Sequence, residues 1–205
     1  MLSNKVFFSP VLSALSRARL AILTVALTYA LSLGVGIVMA QTGNRFALAY
    51  RDQLVGRARE SNRASLALQK GDRWRAALFD FSENLLLGAV PITVAGLSII
   101  IPYPLVAHQG WVGGIVSVDN AHVSRLANPG EAIYYIAVVI LQLIPYTLAA
   151  GAGIHLGLAY LRPQRYDQGP RWLGLPQEAV RDVARIYLLV VPLFFLASLV
   201  EFFAA

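Results

Sequence analysis

The sequence predicts an all-α polytopic membrane protein, with about five transmembrane helices and further amphipathic helices at the membrane surface. Three observations lead there. Of the 205 residues, 57% are hydrophobic and 14% charged, against about 25% charged in soluble domains. The mean hydropathy is +0.60. The stretches 20–41, 85–118, 132–161 and 186–200 contain no Asp, Glu, Lys or Arg, and a run of about 18 or more apolar residues reads as a span. The whole chain, 1–205, reads as a single integral membrane domain.

The elements follow in order. Residues 1–19 mix Phe7, Phe8, Val11 and Leu12 with Lys5, Arg17 and Arg19, which suits an interfacial segment against headgroups. The first span runs from Leu20 to Ala40. Val38-Met39-Ala40 before Gln41 is similar to a cleavage site, but the apolar run exceeds the roughly 7–15 residues of a signal core, so a retained span is expected. Residues 41–77 form the largest polar section, with eight basic and three acidic residues. Leu48, Leu54, Val55, Leu66 and Leu68 recur loosely at helical intervals there, predicting one or two amphipathic helices broken near Lys70-Gly71-Asp72.

From residue 78 to the end the chain reads as the helical core. The uncharged run 85–118 is shorter than the roughly forty residues two spans need, and Pro102-Tyr103-Pro104 interrupts it. A helix over 77–101 is long enough to cross. The arm from Leu105 reads either as a short crossing helix ending near Val123 or as a re-entrant arm. Residues 132–161 exceed the hydrocarbon thickness and are expected to tilt, or to kink at Pro145. Residues 162–185 begin as a Pro/Gly loop, with a helix starting at Gln177-Glu178 after Pro176. The last span is 186–203.

The net charge of +6 does not point to nucleic acid, because the basic residues sit between apolar runs, where they meet headgroups. They divide almost evenly between the two sides. A cytoplasmic N-terminus follows from the purely basic flank of the first span. With no cysteine, disulfides and thiolate metal sites are excluded. No HExxH, GxSxG or paired membrane aspartate is present, and the glycines of 108–114 match no phosphate-binding fingerprint. Neither an enzyme nor a cofactor is expected.

Polar and small residues inside the spans are the candidate site. At 100° per residue Gln142, Tyr146, Ala149, Gly153 and Gly157 share one face, with Gly153 and Gly157 forming a GxxxG that permits close helix contact. Gly151 and His155 lie opposite. His155 has no second ligand at metal spacing along the chain and reads as a hydrogen-bonded packing residue in preference to a proton relay. On the 78–101 helix Asp80, Asn84, Gly88, Pro91, Ala95 and Ser98 fall on one face, Glu83 at its edge; Asn84 is the one deepest in the apolar run. Gln109, Gly110 and Gly113 allow a close approach or a sharp turn. Glu201, near the end of the last span, reads as a headgroup-level or intramembrane acid.

Four ordered pieces of the sequence resemble the stage II sporulation protein M family over roughly residues 79–203. FDFSEN, ending at Asn84, is similar to the family's approach to an asparagine that opens a span. VAHQGWVGG resembles its "NG, then G" segment, with Gln109-Gly110 where Asn-Gly is usual and Gly113 following. QLIPYTLAAGAGIHLG resembles its small-residue segment, with Gly151, Gly153 and Gly157 in register. LVEFF carries Glu201 where the family has a C-terminal acid. The sequence departs at the family's HGxxE motif, where Val138 and Gln142 stand in the histidine and acid positions. The resemblance implies a membrane scaffold whose sporulating members organise wall-remodelling partners without being hydrolases; relatives also occur in bacteria that make no spores.

The expected function is therefore a multi-pass scaffold of the bacterial or archaeal cytoplasmic membrane. It would bind membrane or envelope proteins, or further copies of itself as a homo-oligomer, through small-residue helix faces, with lipids around it. The rival is a transporter subunit or channel built on Asn84, Gln142, His155 and Glu201, with prolines 91, 145 and 192 as breaks.

Overall fold

The computed structural model describes residues 3–161 and 169–203, with side chains from Ser9 onward. The start of the predicted Pro/Gly loop, 162–168, lies outside the described residues, as do the side chains of Lys5, Phe7 and Phe8. Helix α1, Ser3–Gln41, runs unbroken, so the stretch read as a separate interfacial segment continues the first span. Then come α2, Arg45–Ser61, α3, Arg63–Gln69, and α4, Arg73–Glu83. Each is started by a side-chain cap. Asn44, Asn62 and Asp72 accept hydrogen bonds from the amides of Ala47, Ser65 and Arg75 at 3.1, 2.9 and 3.0 Å, covering donors that a helix start leaves bare. The predicted break at Lys70-Gly71-Asp72 is present, with Gly71 at φ +78; the break at Asn62 is an addition to it.

The second long rod is not one straight α-helix. After α4 comes a π-helical turn, Asn84–Ala89, then α5, Val90–Ala95, and a 3₁₀ turn, Gly96–Ser98. Pro91 has no amide to donate to the preceding turn, and the Val90 amide reaches back to the Leu85 carbonyl. The wider turn moves the inward face. Asn84 and Gly88 are followed inward by Ile92, Thr93 and Gly96, while Pro91 and Ser98 turn out. The straight face expected through Pro91, Ala95 and Ser98 is thereby corrected.

Helix α6, Pro102–Ile115, is 14 residues long, about 21 Å, and stops short of the expected end near Val123. The chain from 116 to 128 is irregular, held by an isolated bridge between Val118 and Ser124. Helix α7, Pro129–Leu161, is continuous through Pro145. A two-strand hairpin follows: β1, Arg171–Trp172, pairs antiparallel with β2, Leu175–Pro176. Leu173 and Gly174 turn it, both at positive φ, as a tight two-residue turn requires. Helix α8, Gln177–Phe203, begins where predicted and carries straight into the last span.

Among the described residues, four helices are long and apolar enough to cross a membrane: Ser9–Gln41, Arg73–Ser98, Pro129–Leu161 and Gln177–Phe203. The short α6 runs parallel to α1, since Thr24 meets Tyr103, Gly110 packs on Tyr29, Gly114 on Leu33, and Gln41 meets Ser117. On α1 the stripe Ala14, Ala18, Ala21, Val25 and Tyr29 is buried, and Leu20, Leu23, Leu27 and Leu31 face outward. Lipid tails are as apolar as these side chains, so close packing and hydrogen bonds, not water exclusion, hold such helices together. Helices α2 and α3 lie at the end where α1, α6 and α8 finish and α7 begins. Phe46 and Tyr50 stack on Trp111 of α6, with ring centres 5.8 and 5.1 Å apart.

Candidate functional site

Small residues set the geometry from which every polar contact follows. A methyl group at Gly153 would fall on the backbone of Thr93, and one at Gly157 on the carbonyl oxygens of Gly96 and Leu97. Ala149 is fully buried and its carbonyl accepts from Thr93 Oγ1 at 2.9 Å. The GxxxG face is thus covered by the chain's own α5 and 3₁₀ turn. It is not an open face for a partner helix, and this corrects the expected use of Gly153 and Gly157. On the other side of α7, Gly151 packs on Ile22 of α1. Gly110 and Gly114 do the same for α6 on α1, where a Cβ would meet the carbonyl oxygens of Tyr29 and Leu33; Gly113 sits beside Leu33 more loosely. Gly88 lies under the Tyr146 ring. Gln109 has its side-chain oxygen buried with no hydrogen-bond partner among the described residues.

Around these contacts a polar seam crosses three helices. Tyr146 Oη donates to Asn84 Oδ1 at 2.7 Å, and Asn84 Nδ2 donates to Asp80 at 3.0 Å. Ser198 of α8 donates to the same Asp80 oxygen at 2.7 Å. One turn further along α8, Glu201 accepts from Gln142 Nε2 at 2.8 Å, and its backbone carbonyl accepts from Tyr134 Oη at 2.7 Å. Sequence periodicity placed Asn84, Tyr146, Gln142 and Glu201 near one another only in part; the structure joins α4, α7 and α8 through them. The departure from the family's acid at Gln142 acquires a geometric meaning, because the amide is a donor to the carboxylate that α8 supplies.

Beside the seam is a cavity of about 270 Å³. Arg51 of α2, Arg125 of the irregular segment, Tyr135, Gln142 and Glu201 share its wall. Arg51 is 3% exposed; its guanidinium donates to Asp52, to the Val118 carbonyl and to Asn120. Asp52 also hydrogen-bonds to His122 at 2.9 Å. The hydrogen bond from Arg51 holds the Asp52 carboxyl below the usual aspartate range. These ties fix α2 to the loop that follows α6, and neither Arg51 nor Arg125 stood out in the sequence, where both counted as headgroup charges.

At the opposite end of the bundle a second cluster forms. Asp182, with its side chain fully buried, accepts from both Nε and Nη2 of Arg17, from Arg185 at 3.0 Å, and lies 3.3 Å from His155 Nε2. Glu178 joins Arg17 and Arg185 at 3.2 and 2.7 Å. His155 therefore does have an acidic neighbour. Spacing along α7 missed it because Asp182 comes from α8, beyond the hairpin. Among the described residues no three His, Cys, Asp or Glu side chains are grouped to hold a metal ion.

The family model for stage II sporulation protein M matches residues 24–205. The chain belongs to that family. Neither a curated protein nor a solved structure matches it. The family match begins well before residue 79, where the resemblance seen in the sequence started, and so takes in the C-terminal part of α1, from Thr24, and the whole of α2 and α3. Within this family member the seam Asp80–Asn84–Tyr146 and the pair Gln142–Glu201 connect all but one of the sequence pieces that carried the resemblance. The remaining piece, around Gly110 and Gly113, packs on α1 and reaches the seam's helix where Tyr135 Oη donates to the Gly113 carbonyl at 2.8 Å.

Proposed function

We propose that this family member is a non-catalytic scaffold of the bacterial or archaeal cytoplasmic membrane that positions other membrane or envelope proteins, further copies of the chain among them. The observation carrying this reading is the α2–α3 platform. It presents Arg45, Arg57, Arg59, Arg63 and Lys70 outward, while buried Arg51 and the bond from Asn62 to Glu83 of α4, 2.9 Å, clamp it to the spans. A charged surface held rigidly on a membrane bundle suits a partner of acidic character, which its field would steer into place. With the N-terminus cytoplasmic, this platform meets the envelope side. Docking then uses the platform, since the small-residue faces are taken up within the chain.

The test is in-membrane crosslinking followed by mass spectrometry, comparing the wild type with a variant carrying Arg57→Glu and Arg59→Glu. The partner set is expected to shrink sharply while the variant stays folded; an unaltered partner set would reject the platform as the docking surface. A second reading, a solute or proton path, draws on the seam that brings Asp80, Asn84, Tyr146, Gln142 and Glu201 together inside the bundle. Flux in sealed vesicles that disappears in Glu201→Gln would favour that reading over the scaffold.

A further inference from the structure

Two arginines line the cavity between the platform and the spans. Arg51 Nε and Arg125 Nε are both enclosed and without a hydrogen-bond partner among the described residues, and both residues line the same cavity. Leaving such a donor buried and unsatisfied is costly, more so for a charged group. Arg51 is already engaged on its other nitrogens by Asp52, Val118 and Asn120. No hydrogen bond or ion pair from the Arg125 side chain is present among the described residues. Glu201 and Gln142 line the same cavity, together with Tyr135 and the apolar Val138 and Val139. Its position, at the last turn of α8 and the C-terminal end of α6, is headgroup depth for helices that cross.

We infer that this cavity binds a phosphodiester group bearing a hydroxyl or ammonium substituent. Two guanidiniums lining one cavity supply donors of the kind that phosphate oxygens accept. Glu201, in the same wall, accepts hydrogen bonds from a hydroxyl or ammonium. The volume suits a single headgroup and excludes a pair of acyl chains, which would have to leave along the apolar wall. The same chemistry has two sources, a glycerophospholipid headgroup or its soluble counterpart. The inference is independent of the scaffold reading, because it concerns groups beneath the platform, not its outer face.

Native mass spectrometry of the full chain in detergent separates the outcomes, with phosphatidylethanolamine, phosphatidylglycerol, diacylglycerol and soluble glycerophosphoethanolamine as probes. The phosphodiester lipids are expected to stay bound, diacylglycerol to be lost, and Arg125→Gln to lower lipid retention about tenfold or more. Arg125 makes no side-chain bond that this substitution breaks, so the melting temperature of the variant should match the wild type. Arg51→Gln, which does loosen the platform, serves as the second variant. Binding of the soluble headgroup but not of the lipids would support the phosphodiester site and assign it a soluble ligand. Retention unchanged in Arg125→Gln, or diacylglycerol held as tightly as the phospholipids, would overturn the inference.

Discussion

Gly153 and Asp182 show what single residues carry in a bundle without solvent around its middle. Gly153 lets the α7 backbone touch that of α5, and even one methyl group would fall on the Thr93 backbone. Gly153→Ala is expected to lower the detergent melting temperature, at a cost of about 1–3 kcal/mol for overpacking; equal melting would mean the two backbones can part freely. Asp182→Asn removes the buried negative charge that Arg17 and Arg185 share, leaving them an amide oxygen and Glu178. Removing one partner of a buried pair costs about 3–5 kcal/mol, and the partly exposed Arg17 places this case at the lower end. Thermal unfolding of the variant checks it. Asp52 gives a pH dependence. Its folded pKa is lowered, first by the hydrogen bond from Arg51, so its stabilising contribution is present above the ordinary aspartate value and is lost as pH falls through the depressed one. Amide exchange in α2 should therefore quicken on acidification below the usual aspartate range, and Asp52→Asn should abolish that change. Asn84, Gln142 and Glu201 could be singled out in the sequence because a polar side chain in or at the end of an apolar run must find a partner in the protein or at the headgroups. Arg51, Arg125 and Asp182 were not, since each lies where a headgroup contact would satisfy it equally well.

Elements were read with uneven success for a physical reason. Starts and ends marked by local chemistry were legible: the break at Gly71-Asp72 and the beginning of α8 after Pro176. The four pieces of the 73–98 rod were not, because a π turn changes the period of the inward face while leaving composition unchanged. Its effect is to deliver Thr93 to α7 and α8. Thr93 Oγ1 lies 2.9 Å from the Ala149 carbonyl and 2.7 Å from Tyr187 Oη, and Tyr187 Oη donates to the Ala89 carbonyl. Thr93→Val keeps the shape and removes the junction between three helices, for about 1 kcal/mol. A melting temperature indistinguishable from the wild type would show that the backbone contacts alone hold this crossing.

For the whole molecule, the parallel pairing of α1 with α6 fixes a testable topology. If α6 counts as a crossing, the chain traverses the membrane an odd number of times and its ends emerge on opposite sides. Reporters fused to each terminus are then expected to be active in complementary compartments. Two reporters active on one side would contradict the parallel course of α1 and α8. The fold class was legible from the long uncharged runs, whereas the side facing the cytoplasm was not, because the basic residues are shared between both surfaces.

Helix α6 has a further consequence for how the protein is made. At 14 residues it falls below the length that partitions into a bilayer unaided, yet it lies along α1 through Gly36, Gly110 and Gly114. Its site is therefore prepared by a helix synthesised long before it, and the outer helices must leave that flank of α1 open until α6 arrives. Insertion is then sequential and templated: the first span serves the nascent chain as a chaperone for a short helix that emerges only after the platform and the rod that follows it.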